Sequence, residues 1–167
     1  MQQEMDRSPF IAHLERLRDS DDRKALAILR RGLNDSPRAR LEMYPYVIMF
    51  LRKEASKWEE DVLFTIASLF SSHPSPGGVG DMGTVLSEVR RRTGSDSIEG
   101  RFLALLRAPS ENVLDHLKQS ISLAKSNEVS IEWDRLYRDL LWWNSEKMNI
   151  QKKWASSFWG SSEENSV

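Results

Sequence analysis

The stretch "NVLDHLKQSISLAK", residues 112–125, carries apolar side chains at helical spacing, because Leu114, Leu117, Ile121 and Ala124 recur every three or four residues. Such residues share one face of an α-helix. The same periodicity runs through nearly all of the 167 residues, and we find no alternating run of β-branched residues typical of a strand. The sequence therefore predicts an all-α fold, a compact bundle of about eight to nine helices or two small helical lobes.

Several helix boundaries follow from capping residues and helix breakers. A helix over about residues 40–53 is predicted to break or to start at Pro45, and a capping box of Ser56 and Glu59 is predicted to open a helix that runs to about residue 71. Ser130 is the predicted N-cap of a helix that extends through Trp143. A last helix is predicted over about residues 146–159.

The segment "SSHPSPGGVGDMG", residues 71–83, is rich in Ser, Pro and Gly and interrupts the helical pattern. We therefore predict one all-α domain over residues 1–167 with a flexible loop in its middle. Its parts are N-terminal helices over about residues 8–71, the loop over about residues 72–83, C-terminal helices over about residues 84–159, and a disordered tail over residues 160–167.

Three glycines in that loop, Gly78, Gly80 and Gly83, match the dinucleotide-binding pattern G-x-G-x-x-G. The pattern binds pyrophosphate only where it follows a strand and opens a helix, and no strand is predicted before it. The lysine of a phosphate-binding P-loop is also missing. A flexible loop is the favoured interpretation, and a nucleotide-using enzyme built on these glycines is kept as an alternative.

No catalytic or metal-binding constellation is predicted from the remaining residues. The chain has no cysteine, and its three histidines, His13, His73 and His116, lie far apart without the spacing of metal ligands. Glu59 and its two acidic neighbours fit the exposed first turn of a helix, where negative charge is favourable. We therefore expect a protein that is not an enzyme and binds neither a cofactor nor a metal.

The ends and apolar stretches of the sequence bear on its location. The start, "MQQEMDRSPF", is acidic and polar where a signal peptide would be basic and then apolar, and the longest apolar run, residues 62–69, is too short to cross a membrane. We expect a soluble cytoplasmic protein without a membrane partner, which agrees with the absence of cysteine.

The net charge is −1, but the basic residues are unevenly distributed. Residues 23–53 hold eight Arg and Lys against two acidic residues. Several cations share a helical face by spacing: Arg23 with Arg30, Lys24 with Arg31, Lys118 with Lys125, and Arg135 with Arg138 and Trp142. Such faces can follow a phosphate backbone. Solvated helix faces, or salt bridges in a structural adaptor, are the alternatives.

Four stretches in order resemble the CasB family, the small subunit of the type I-E CRISPR Cascade surveillance complex. They are "LAILRRGL", "RFLALLRA" at residues 101–108, "HLKQSISLAKSNEVSIEWDRLYRDLLWW" at residues 116–143, and "QKKWASSFW" near the end. The resemblance spans nearly the whole chain. It implies an all-α, non-enzymatic subunit that is present as two copies and lies along the backbone subunits that carry the guide RNA.

The resemblance also implies partners and a role. The partners are guide RNA, target DNA including its displaced strand, the backbone and large subunits of the complex, and a second copy of the chain. A cationic groove would favour opening of the target duplex, since forming the RNA–DNA hybrid nearly balances that opening. The positions at which the family tends to be basic are Arg30, Arg31, Arg101, Arg107, Lys118 and Arg138, and Lys125, Lys152 and Lys153 are further candidates.

The aromatic residues near the end of the chain have two possible uses, core packing and base stacking. Trp154 and Phe158 are four residues apart and share a helical face with Ile150, which favours packing on a core, whereas Lys152 and Lys153 point elsewhere. Base stacking stays open for Trp142, which neighbours the arginine face. The run "RRRTG", residues 90–94, receives no assigned role.

Overall fold

The computed structural model describes residues 6–160, and every regular element within that range is helical. Nine α-helices and two short 3₁₀ turns form there, so the all-α prediction of eight to nine helices is confirmed. The chain divides into two compact units, with the boundary between Pro74 and Ser75. None of the helices in the described range is long and apolar enough to cross a membrane. The predicted tail lies outside the described residues, apart from Gly160.

The N-terminal unit contains four α-helices: α1 Pro9–Asp19, α2 Arg23–Arg31, α3 Pro37–Val47 and α4 Lys57–Ser72. Helix α4 is the central element, because nearly every side chain from Val62 to Ser71 is buried. Helix α2 packs on α4 through Ala25, Leu26 and Leu29. The apolar face of α2 is thus buried, and its Arg and Lys side chains remain exposed.

Gly32 and Ser68, two small residues, allow the segment after α2 to approach α4 closely. Gly32 follows α2, and a Cβ on it would lie 2.3 Å from the Oγ of Ser68 and 2.6 Å from the sulfur of Met43. Ser68 in turn donates its hydroxyl to the Phe64 carbonyl, 3.1 Å away, which satisfies this buried polar group. The 3₁₀ turn Gly32–Asn34 therefore passes close to α4 at Gly32, where a Cβ would collide with both side chains.

The expected break at Pro45 is wrong. Helix α3 begins at Pro37, continues through Pro45 and ends at Val47, after which the 3₁₀ turn Ile48–Phe50 follows. Proline removes the bond to the carbonyl of Leu41, which lies on an exposed side of the helix, and only the last helical turn is affected. The N-cap at Ser56 is confirmed, since its Oγ accepts from the amide of Glu59 at 3.2 Å.

The C-terminal unit contains five α-helices: α5 Met82–Thr93, α6 Ser97–Arg107, α7 Ser110–Ser126, α8 Trp133–Leu141 and α9 Ile150–Trp159. Helix α9 packs closely on α5, because a Cβ on Gly83 would lie 2.0 Å from the carbonyl oxygen of Trp154. Phe158 stacks on Phe102 of α6 with ring centroids 4.5 Å apart. The prediction that Trp154 and Phe158 pack in the core is confirmed, since both are fully buried.

A buried polar network joins α5, α8 and α9. Asp81 caps α5 by accepting from the amide of Thr84 at 3.0 Å, and it also accepts from the hydroxyl of Ser157 at 2.7 Å. Asp139 of α8 accepts from the indole Nε1 of Trp154 at 2.8 Å. Burial raises the pKa of the Asp139 carboxyl, and the hydrogen bond from Trp154 opposes that shift.

Two boundaries in this unit were predicted wrongly. Helix α8 begins at Trp133 with Glu132 as its N-cap, whereas Ser130 precedes the buried Ile131 outside the helix. Helix α9 begins at Ile150, because Asn149 takes a left-handed conformation (φ 44°) and its side chain accepts from the amide of Lys152. The sequence around both starts offers more than one capping residue, and tertiary packing selects among them.

Candidate nucleic-acid interface

We call the nine basic residues named above as candidates for nucleic-acid binding the nominated cations. The exposed face of α2 carries the two that lie in the N-terminal unit. Arg30 and Arg31 are both exposed. The guanidinium Nε of Arg30 donates to the carbonyl of Ser71 at 3.3 Å, which fixes the side chain without neutralising its charge. Arg31 forms no ion pair with any residue between 6 and 160. Lys24 lies seven residues before Arg31 and therefore on the same face of the helix. It is also exposed and forms no ion pair within that range.

The C-terminal unit holds the other seven nominated cations. Five of these are exposed and form no ion pair within the described part of the chain: Arg101, Arg107, Lys125, Lys152 and Lys153. Lys152 and Lys153 point away from the buried face of α9, as predicted. Free cations of this kind retain their full charge for a polyanion.

The other two nominated cations have acidic neighbours on their own helices. The Nε of Arg138 lies 3.0 Å from a carboxylate oxygen of Asp134, and the Nζ of Lys118 lies 3.7 Å from Asp115. Both pairs have i,i+4 or i,i+3 spacing, so the sequence carried a signal of this pairing. Because the pairs are partly exposed, they are weak, and a phosphate can compete for either cation.

The structure separates these cations from another set that is held by acidic groups. Arg52 forms three hydrogen bonds with the carboxylate of Glu59 at 2.8 to 3.2 Å. Arg40 lies 3.0 Å from Asp61, and Arg135 lies 3.3 Å from Asp139. None of these three arginines is among the nominated positions. The cations nominated by the resemblance are therefore mostly those that residues 6–160 leave without a counter-charge.

The nominated residues belong to both units. Arg30 and Arg31 lie in the N-terminal unit, whereas the other seven lie in the C-terminal unit. The single groove that would join Arg30, Arg31, Arg101, Arg107, Lys118 and Arg138 stays a prediction. Three exposed lysines that were not nominated, Lys24, Lys53 and Lys147, are equally free of ion pairs among residues 6–160. The seven-residue spacing of Lys24 and Arg31 was the signal for the first.

The run of three arginines at residues 90–92 has internal partners. Arg90 lies over the ring of Phe158 at 4.4 Å, a cation–π contact. Arg91 and Arg92 both donate to the carboxylate of Glu88, and these hydrogen bonds lower the pKa of Glu88 to about 2. Arg92 also donates to the backbone carbonyl of Asn127 at 2.7 Å. Arg90 thus links α5 to α9, Arg92 links α5 to the end of α7, and Arg91 pairs within α5.

The glycine pattern also has a structural explanation. Gly83 allows α5 to approach the backbone of Trp154, and a Cβ on Gly78 would lie 2.1 Å from the backbone of Ile131. The N-terminus of α5 is already capped by the carboxylate of Asp81. A negative group in this position repels phosphate, whereas dinucleotide-binding loops present free amides there.

The acidic residues at the start of α4 are engaged by cations of the same unit. Glu59 is held by Arg52, while Asp61 lies 3.0 Å from Arg40 and 3.7 Å from Lys57. Among residues 6–160 there is no group of three or more His, Asp or Glu side chains that could hold a metal ion.

Comparisons with known proteins identify the family. The family model described as CRISPR-associated protein Cse2 matches residues 25–159. A CRISPR-associated protein Cse2 of Thermus thermophilus is 35% identical over 138 residues, covering 81% of this chain and 79% of the relative. The crystal structure of M. ruber CasB is 30% identical, with a TM-score of 0.77, and covers 96% of this chain and 99% of its own.

A further solved structure shares the fold at lower identity. A chain from a CRISPR RNA-guided surveillance complex, pre-nicking, has a TM-score of 0.80 at 21% identity and covers 93% of each chain. The resemblance predicted from the sequence is confirmed by the family model and by the two relatives above. The chain belongs to the Cse2, or CasB, family of CRISPR-associated proteins.

Proposed function

We propose that this chain is a non-catalytic subunit of a type I-E RNA-guided CRISPR surveillance complex, in which it binds nucleic-acid backbone through exposed cations. Its partners there are guide RNA, target DNA with its displaced strand, the backbone and large subunits, and a second copy of itself. Membership of the Cse2 family supports the proposal that the chain is part of this complex. The observation that carries the binding role is the set of exposed cations that have no counter-charge within the described range, from Arg31 on α2 to Lys153 on α9.

The physical contribution of such cations is electrostatic and independent of sequence. Each phosphate that they neutralise releases counterions, so the affinity falls as salt rises. Opening a DNA duplex is nearly balanced by forming the RNA–DNA hybrid, and a modest gain from holding the displaced strand or the hybrid shifts that balance toward the R-loop. No base needs to be read by the subunit for this role.

The first prediction concerns R-loop formation by the assembled complex. Changing Arg101, Lys125 and Lys153 together to Ala should weaken R-loop formation and reduce its salt dependence, with the slope falling by about 0.7 for each single-strand phosphate that the subunit no longer neutralises. Charge reversal to Glu should weaken it further, and low salt should partly rescue the Ala variant. The measurement is the extent of R-loop formation against salt concentration, alongside co-purification with the other subunits.

The matched control removes the same number of positive charges from paired positions. Arg40, Arg52 and Arg91 are each held by acidic groups through more than one contact, so their change to Ala should leave R-loop formation close to that of the wild type. Such surface changes usually alter stability by no more than about 0.5 kcal/mol. Equally weakened R-loop formation in both triple variants would mean that only net charge matters, which would contradict the proposal.

A structural adaptor is the second candidate, and an exposed apolar patch in the N-terminal unit favours it. Leu41 and Met49 are each 60% exposed, and Pro45 and Ile48 between them are also exposed. Exposed apolar side chains at neighbouring positions are typical of protein contacts.

The adaptor function makes a separate prediction for this patch. Changing Leu41 and Met49 to Ser should abolish incorporation into the complex, while the binding of the isolated chain to oligonucleotides stays unchanged. The measurements are co-purification and an oligonucleotide titration. Normal incorporation of this variant would exclude the patch as an assembly contact.

A further inference from the structure

Trp142 is the most exposed tryptophan in the described part of the chain. Its side chain is 55% exposed, whereas Trp133, Trp143 and Trp154 are almost completely buried. Trp58 and Trp159 are half-buried, and Trp159 is further held by a hydrogen bond to Glu99. An indole exposed to this extent leaves a large aromatic face available for contact with a ligand.

The backbone under Trp142 is held in place on both sides. Its amide donates to the carbonyls of Arg138 and Asp139 at the end of α8. The next residue, Trp143, is buried and packs on Trp154 with ring centroids 4.8 Å apart. Because Trp143 anchors the chain inward, its neighbour presents its ring outward from a fixed support. A rigid support reduces the entropy lost when a ligand binds.

Cationic and polar residues lie close to Trp142 along the chain. Arg138 lies one helical turn earlier and is exposed, and Lys147, in the connection from α8 to α9, is exposed without an ion pair among residues 6–160. The same connection borders a hollow of about 430 Å³ lined by Trp143, Asn144, Ser145, Glu146, Asn149 and Gln151. Five of these six side chains are polar and can form hydrogen bonds with a ligand.

Two amides in the hollow are already oriented. Gln151 donates its Nε2 to the carbonyl of Trp143 at 3.0 Å, and Asn149 accepts from the amide of Lys152 at 3.4 Å. Each amide group thereby keeps its other polar atom for a ligand: an acceptor on Gln151 and a donor on Asn149. Every nucleobase carries both donors and acceptors on its edge, so this pair of groups can bond to a base without selecting one.

We infer that Trp142 is a stacking platform for one unpaired base of a single-stranded nucleic acid, with Arg138 and Lys147 contacting the adjoining phosphates. This inference rests on the proposed function and names the form of nucleic acid that the C-terminal unit takes. Stacking on an indole tolerates any base, so it adds affinity without adding sequence preference. A duplex offers no free base face, and the platform therefore favours single strands.

The test compares Trp142→Ala and Trp142→Phe in the full chain, with Leu103→Ala as the control for loss of another exposed apolar group. The probes are an oligothymidylate and an abasic sugar-phosphate oligomer of the same length. Trp142→Ala should weaken oligothymidylate binding roughly 5- to 150-fold, the range expected for one stacked base. Trp142→Phe should retain most of the affinity, and the abasic oligomer should bind all variants equally.

Salt dependence separates this inference from the phosphate contacts. Trp142→Ala should leave the slope of affinity against salt unchanged, whereas Arg138→Ala should reduce it. Equal binding of oligothymidylate by the wild type and Trp142→Ala would overturn the stacking platform. The platform would also fall if Trp142→Ala bound oligothymidylate normally but no longer joined the complex, since that would assign the ring to a protein contact. If the wild type bound neither oligomer at low salt, the proposed function itself would fail.

Discussion

The imidazole of His13 shows how one residue makes the N-terminal unit sensitive to pH. It packs against the ring of Phe50 with centroids 5.1 Å apart, and its Nε2 is buried without a hydrogen-bond partner among residues 6–160. Burial lowers the pKa of His13 below its ordinary value of 6.5, the positive charge of Arg16 lowers it further, and a hydrogen bond to the Tyr46 backbone opposes both. The folded state therefore favours the neutral imidazole.

A lowered pKa in the folded state predicts a loss of stability in acid. The contribution is fully present above the unfolded value of about 6.5 and is lost as the pH falls through the lower folded value. We expect the free energy of unfolding to fall less between pH 7 and pH 5 in His13→Leu than in the wild type. Urea denaturation across this range measures the difference, and parallel pH profiles would contradict the prediction.

At the scale of elements, the contact between α5 and α9 depends on the missing side chain of Gly83. A Cβ there would overlap the carbonyl oxygen of Trp154, and helix backbones cannot yield as a flexible side chain can. We expect Gly83→Ala to lower the free energy of unfolding by at least the 1–3 kcal/mol or so typical of overpacked cores. Denaturant titration measures this loss.

Gly100 provides the matched control for the same chemical change. It lies within α6, and nothing is found within 4 Å of the Cβ that alanine would add. Alanine in this position should stabilise the protein by about 0.5–1 kcal/mol, because glycine lowers helix stability. If Gly83→Ala stabilised the protein as Gly100→Ala is expected to, helix propensity rather than close packing would dominate at residue 83.

At the scale of the whole molecule, the fold was more predictable than the site. Helical periodicity is a local property, so the all-α fold and the helices around Leu29, Leu117 and Trp154 could be predicted from the sequence. The starts of α8 and α9 were missed because several neighbouring residues can act as N-caps. Packing of Ile131 and the left-handed conformation of Asn149 selected the ones used.

The charge pairing of the site depends on contacts that sequence spacing does not reveal. Arg40 meets the carboxylate of Asp61 across 21 positions, and Arg52 meets that of Glu59 across seven. Such distant partners are what distinguish a neutralised cation from a free one. The partner of Arg138 was predictable from its i,i+4 spacing to Asp134, whereas the free charge of Arg101 was not.

The tight passage of Gly32 beside α4 has a consequence for how this sequence can diverge. A side chain at position 32 would meet the Oγ of Ser68 and the sulfur of Met43, so a larger residue there requires these side chains to move or to be smaller. These three positions should therefore covary among relatives, with added volume at one compensated by lost volume at another. Relatives should therefore keep the spacing of α2 and α4 by conserving the summed side-chain volume of the three positions, rather than the residue type at any one of them.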